Sequence, residues 1–230
     1  MPFLGLFIAV VCLFTFFRKR SNRSQENVTD RFWKRESIAN NTRLQDLSGL
    51  PYITIPFDKF PIGMYENDLL KNYENTLQTL SGQKIVNFGT QTNTDLKITY
   101  GTASLPALTE YEQNFTTLCQ TLTAYAGQLF ELGHTDDART ILEYGISIGS
   151  DLSQNYLLLA KIYQSSGETG RIRELLASAE QLDSLMKRSI VEKLTAMLPE
   201  DTTNTPVQRS VSCFIDIRLV PHIIFYGIFP

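Results

Sequence analysis

The sequence predicts a mainly α-helical protein in which one apolar N-terminal helix precedes a domain of packed helices. Three observations predict this class. Residues 3–17 contain no charged side chain. Residues 66–80 place leucines and a tyrosine on one face at the spacing of an amphipathic helix. Residues 120–184 repeat a helical pattern at a spacing of 34 residues.

The composition is typical of a chain that buries a core. The protein has 230 residues, of which 43% are hydrophobic and 20% are charged, and this length suggests one or two domains. A net charge of −3 argues against nucleic acid as a partner. Cys12, Cys119 and Cys213 lack metal-ligand spacing, and their odd number gives no disulfide framework. We therefore expect no metal ion and no cofactor.

Residues 2–17 are predicted to be a transmembrane anchor. A helix of this length spans about 25 Å, against a hydrocarbon core of about 30 Å. Arg18, Lys19 and Arg20 follow the apolar run, and their side chains can reach the interface. A cleaved signal peptide is a weaker alternative, because it would need basic residues before the run and small residues after it. A buried core helix is the third alternative.

The basic residues after the run also predict orientation. Since basic flanks stay cytoplasmic, we expect a single-pass cell-membrane protein with its soluble part in the cytoplasm. Arg18, Lys19 and Arg20 are also expected to attract anionic lipids. A stop-transfer flank would explain the same three residues, so residues 1–20 are interpreted as an anchor with a basic flank.

The middle of the chain is predicted to connect the anchor to the repeats. Residues 21–50 are interpreted as a juxtamembrane helical linker, and residues 51–108 as an extended strap and helices that pack on the repeats. Residues 51–63 hold three prolines, which exclude a helix, yet are too apolar for a free linker. Residues 84–100 leave two interpretations: a short helix capped near residues 93–95, which is favoured, or a hairpin.

The strongest internal signal is the spacing of small residues within 120–184. Ala126 recurs as Ala160, and Gly133 recurs as Gly167. Small residues let the two helices of a hairpin approach closely, and glycine takes the positive φ that ends the first helix. The same spacing aligns Leu122 with Tyr156, Leu129 with Tyr163, Leu142 with Leu176, and Gly145 with Ala179.

At these positions the chain resembles the tetratricopeptide-repeat family, whose repeats are helix hairpins of 34 residues. The resemblance covers residues 120–184 and departs from the family pattern at Ile172, where a small residue is usual. Ser150 and Ser184 stand where the family has proline. The resemblance implies two hairpins that bind a protein or peptide along the inner groove of their first helices. A plain helical bundle with a coincidental spacing is the alternative.

Further helices are predicted to cover both ends of the repeats, giving a domain at 109–198. One long helix is expected over Thr109–Gly133, opened by a capping box of Thr109 and Glu112. A closing helix is expected at 185–198. The remaining residues, 199–230, are predicted to form an irregular tail, although Phe214–Leu219 alternates like a strand.

No catalytic motif is found in the sequence, which lacks a nucleophile elbow, a P-loop and a metal-spaced cluster. We therefore predict a membrane-anchored protein-interaction module rather than an enzyme. A structural subunit of a larger membrane complex is the alternative, followed by an enzyme with an unrecognised site. The residues predicted to line the partner-binding face are Tyr125, Gln128, Asn155, Leu158 and Lys161.

Overall fold

The computed structural model describes residues 2–198, and most of these residues are helical. About 70% of these residues are helical and none forms a β-strand, so the prediction of a mainly α fold is confirmed. The predicted tail, residues 199–230, lies outside the described residues. The helices are α1 (Pro2–Asn40), α2 (Asp68–Ser81), α3 (Asn93–Tyr100), α4 (Leu105–Glu131), α5 (Thr135–Ser147), α6 (Ser153–Ser165), α7 (Thr169–Glu180) and α8 (Lys187–Met197), with 3₁₀ turns at Phe57–Lys59 and Thr102–Ser104.

A membrane span is not found in the described part of the chain. No helix there is both long and apolar enough to cross a bilayer. The interpretation of residues 2–17 as a transmembrane helix is therefore unsupported. These residues form the first part of α1, in which Phe7, Phe14 and Phe17 are exposed.

The C-terminal end of α1 packs on α3 through charged side chains. The Glu36 carboxylate accepts hydrogen bonds from the Lys97 ammonium and from the Thr94 hydroxyl, the latter at 2.9 Å. The preceding residue, Arg35, forms an ion pair with Asp95. These contacts join α1 to the helical body.

Residues 84–100 contain a helix and not a hairpin. The Thr92 hydroxyl caps α3 by accepting from the Asp95 backbone N–H, and the Asp95 carboxylate accepts from the Thr92 backbone N–H at 3.0 Å. The cap is therefore one residue earlier than predicted. Gly101 follows the helix with a φ of 86°. A Cβ there would lie 2.6 Å from the Arg43 carbonyl oxygen, so only glycine lets these two segments meet.

Helices α4–α5 and α6–α7 form two consecutive hairpins. Gly133 and Gly167 lie in the turns with φ of 88° and 74°. Helix α2 packs on α4, whereas α8 packs on both α6 and α7, so each hairpin has a covering helix. The aligned positions form the core between the hairpins, where Leu122, Ala126, Leu129, Leu142, Tyr156, Ala160, Tyr163 and Ala179 are buried.

The predicted start of α4 is wrong. The helix begins at Leu105, so Thr109 and Glu112 lie inside it and do not form a capping box. Pro106 occupies the first turn, where its fixed φ suits a helix and its missing N–H costs no hydrogen bond. The 3₁₀ turn at Thr102–Ser104 leads directly into this start.

Residues 51–63 lie over the hairpins as an extended segment with one 3₁₀ turn, and we call them the strap. Ile55 and Phe60 are buried in the main core. The Ile53 backbone N–H donates to the Ile85 carbonyl at 2.9 Å, and the Tyr144 hydroxyl donates to the Thr54 carbonyl at 2.9 Å. The strap thus contributes apolar side chains to the main core.

Candidate interaction surfaces

Two of the five residues predicted to bind a partner lie in the interior. Tyr125 on α4 and Asn155 on α6 are both fully buried, so neither side chain can contact a partner in the folded protein. Gln128 and Leu158 are partly exposed, and Lys161 is exposed. The structure therefore separates a set of residues that the repeat pattern had grouped on one face.

Tyr125 is buried because the strap and α2 cover this part of α4. Its hydroxyl donates to the Glu74 carboxylate at 3.0 Å and lies 3.3 Å from the Pro61 carbonyl oxygen. Burial, followed by the hydrogen bond to Glu74, raises the pKa of Tyr125 far above its usual range. The Gly63 backbone N–H also donates to Glu74, at 3.2 Å. Tyr125 therefore fixes the strap and α2 to the first hairpin.

Asn155 is a packing residue between the hairpins. Its Nδ2 donates to the Leu142 carbonyl at 3.3 Å, while Oδ1 has no hydrogen-bond partner among the described residues. Gly145 lies directly opposite, and a Cβ at that position would be 2.9 Å from Asn155 Nδ2. The amide therefore fills the space that Gly145 leaves between α5 and α6.

Other side chains on the first helices, α4 and α6, are accessible. The Lys161 Nζ on α6 lies 5.2 Å from the centroid of the Phe130 ring on α4, so the two helices meet there. Lys161 is the only charged residue among the five that the next sentence groups as one surface. We define the first-helix surface as Ala124, Gln128, Leu158, Lys161 and Gln164, all at least partly exposed.

A network of ionic side chains joins the two hairpins on their second helices. Arg139 on α5 donates to Glu143 at 2.9 Å and to Glu168 at 2.8 Å. Glu143 also accepts from the Tyr163 hydroxyl at 2.7 Å and from Arg171 at 3.3 Å. Burial opposes ionisation of Glu143, but these donors outweigh it, so the pKa of Glu143 lies below its usual value.

A cleft opens where the first half of α4 meets the 87–90 loop and the connections that follow α5 and α7. It encloses about 630 Å³. Three carboxylates line it, those of Glu112, Asp151 and Asp183, and none of the described residues that line it is basic. Its apolar lining is Phe115, Leu182, Leu185 and Met186. We call this feature the acidic cleft.

Hydrogen bonds between different segments hold the walls of the acidic cleft. The Thr90 hydroxyl donates to Asp183 at 2.6 Å, and the Ser184 hydroxyl donates to Asp151 at 2.6 Å. On a third side, Asn87 Nδ2 donates to the Ile148 carbonyl at 3.2 Å. Sequence reasoning missed the cleft because its carboxylates come from three distant segments that share no motif.

The described residues offer no metal-binding cluster of three or more His, Cys, Asp or Glu side chains. Cys119 is buried, and burial raises the pKa of its thiol to about 12, which keeps it protonated and unreactive. His134 stacks on Tyr65 with ring centroids 3.7 Å apart, and the Tyr65 hydroxyl donates to Asp137 at 2.6 Å. These contacts bind the segment that directly follows the strap to the start of α5.

Comparison of the chain with protein-family models, with curated proteins and with solved structures finds no match.

Proposed function

We propose that this protein is a membrane-attached interaction module whose two TPR-like hairpins bind a protein or peptide along the first-helix surface. The observation that carries the proposal is that Gln128, Leu158 and Lys161 are at least partly exposed. The core residues beside them on α4 and α6 are buried. Amide and ammonium groups suit hydrogen bonding to a peptide backbone and to carboxylates. Leu158 adds a partly exposed apolar contact.

Coverage of both ends of the hairpins favours a separate module over a structural subunit. Helix α2 and the strap cover α4, and α8 buries Ile190 and Leu194 against α6 and α7. A repeat stack needs such covering elements, because its terminal repeats would otherwise expose apolar faces. The partner surface is then the side of the stack, and no further subunit is needed to complete the core.

Membrane attachment through residues 2–17 is the second part of the proposal. The run from 3 to 17 has no charge, and its side chains Phe14, Phe16 and Phe17 are exposed in α1. Arg18, Lys19 and Arg20 would add attraction to anionic lipids and keep the helical body on the cytoplasmic side. Confinement to a membrane raises the effective concentration of the module near a membrane partner.

A photo-crosslinking amino acid tests the first-helix surface. We expect the label at Gln128 or at Leu158 to join the same partner in intact cells, while the label at Ala177, exposed on α7, does not. The substitution Lys161→Glu should reduce the yield from both positions. Equal yields from all three labelled positions would show that the contacts are not specific to this surface and would contradict the proposal.

Flotation with lipid vesicles tests attachment. The full chain should float with the vesicles, and a variant without residues 2–20 should remain at the bottom of the gradient. Replacing Arg18, Lys19 and Arg20 by glutamine should weaken flotation with anionic vesicles and leave flotation with neutral vesicles unchanged. Equal flotation of the shortened variant would rule out attachment through this segment.

A further inference from the structure

We propose that the acidic cleft is a second docking site, which takes a short peptide segment of a partner protein carrying a lysine or arginine beside an apolar side chain. This site is separate from the first-helix surface, so the inference goes beyond the function proposed above. Three features of the cleft support it: its charge, its apolar rim and its shape.

The charge of the cleft favours a cation. Glu112, Asp151 and Asp183 reach it from α4 and from two connections, and no described residue of its lining offers a compensating positive charge. Asp151 and Asp183 each accept one hydrogen bond from a wall hydroxyl. A carboxylate can accept about four, so both keep lone pairs for a ligand. An ammonium or guanidinium group supplies the missing donors and charge.

The rim of the cleft favours an apolar neighbour beside that cation. Leu185 is 100% exposed in the connection between α7 and α8, and Met186 is 43% exposed. Phe115 and Leu182 line the same cleft and are partly buried. A leucine held fully in water beside other apolar side chains is typical of a contact surface. A ligand that covers Leu185 removes this apolar area from water.

The shape of the cleft suits a peptide. A volume of about 630 Å³ lies within the range of ligand sites in proteins and holds a few side chains. The bonds from Thr90 to Asp183 and from Ser184 to Asp151 join walls that are far apart in sequence. Because hydrogen bonds already join these walls in the free protein, binding a segment requires less ordering of the protein.

Selection from a displayed library of random heptapeptides tests the site, with the full chain held in detergent micelles. We expect the enriched peptides to carry lysine or arginine next to an apolar residue. The strongest peptide is then labelled, and its affinity is measured by fluorescence anisotropy. The cleft variant is Glu112→Gln with Asp151→Asn and Asp183→Asn, which removes charge but keeps an oxygen to accept each wall hydrogen bond.

A matched variant removes the same charge elsewhere. Asp58→Asn, Glu66→Gln and Asp68→Asn neutralise three exposed carboxylates outside the cleft and away from the first-helix surface. The cleft variant should bind the peptide at least about tenfold more weakly, and the matched variant should keep the affinity of the wild type. Equal losses in both would indicate general attraction to an acidic protein and overturn the proposal, as would selection without enrichment of basic peptides.

Leu185→Ser separates the apolar contribution from the charge. The side chain is fully exposed, so the variant should keep the circular dichroism spectrum and the melting temperature of the wild type. We expect it to bind the selected peptide several-fold more weakly. Unchanged affinity would show that Leu185 does not contact the peptide. It would contradict the proposal that the peptide carries an apolar side chain beside its basic residue. Crosslinking from Gln128 should be unaffected by every variant, so failure here is distinguishable from failure of the proposed function.

Discussion

Gly145 shows how one residue sets the distance between two helices. A methyl group there would lie 2.9 Å from Asn155 Nδ2, within a fully buried contact. Gly145→Ala should therefore lower the free energy of unfolding by about 1–3 kcal/mol, because overpacking outweighs the better helix propensity of alanine. Urea denaturation measures the change.

Gly127 provides the matched control for that substitution. It lies within α4, and a Cβ there meets nothing within 4 Å. Gly127→Ala should leave the protein unchanged or stabilise it by up to about 1 kcal/mol. If both alanine variants were stabilised alike, the close packing of Gly145 against Asn155 would be disproved.

The lowered pKa of Glu143 predicts how the stability of the protein depends on pH. Because its pKa is lowered in the folded protein from a usual value of 4.5, its contribution to stability is present above that value and is lost as the pH falls through the lowered pKa. Glu143→Gln should therefore destabilise the protein at pH 7. The gap between variant and wild type should narrow at a pH below the lowered pKa of Glu143, where both side chains are uncharged. Urea midpoints that differ equally at both pH values would contradict the assignment.

The contact between α1 and α3 makes a prediction at the scale of elements. Lys97→Glu places two carboxylates against each other at Glu36, so the end of α1 should separate from α3. Hydrogen exchange of the amides in residues 35–42 should become several-fold faster. The double variant Glu36→Lys with Lys97→Glu restores opposite charges and should recover slow exchange.

Lys71→Glu is the control for this pair. It makes the same charge change at an exposed position on α2, and exchange in residues 35–42 should not respond to it. Acceleration by Lys71→Glu as large as that by Lys97→Glu would show that net charge, and not the contact with Glu36, governs the end of α1.

Local spacing predicted the helices well, because helix turns and their glycines depend on neighbouring residues. Gly133 and Gly167 were placed correctly for this reason. Tyr125 was misplaced because its environment depends on Glu74 and Pro61, which the chain brings back from far away. The predicted start of α4 was wrong because Thr109 resembles a cap only when Pro106 is disregarded.

At the scale of the whole molecule, helices contact their neighbours in the stack, so damage at one end should remain near that end. Ile190→Ala with Leu194→Ala removes buried side chains of α8. We expect hydrogen exchange to accelerate first in α6 and α7, and later or not at all in α4.

The opposite end provides the complementary variant. Leu70→Ala with Leu77→Ala removes buried side chains of α2, which packs on α4. Exchange should then accelerate first in α4, whereas α7 should stay protected. If both pairs accelerated exchange evenly across all the helices, unfolding would be a single cooperative event and the separation into local units would be wrong.

The continuous α1 also fixes a length. In the proposed membrane-attached state, residues 18–34 act as a stiff spacer of about 25 Å between the lipid surface and the helical body, because α1 packs on α3 from Arg35 onward. A spacer of fixed length selects partners whose binding segments lie at that distance from the membrane. Inserting a flexible stretch after residue 20 would abolish this selection by height while leaving both binding surfaces intact.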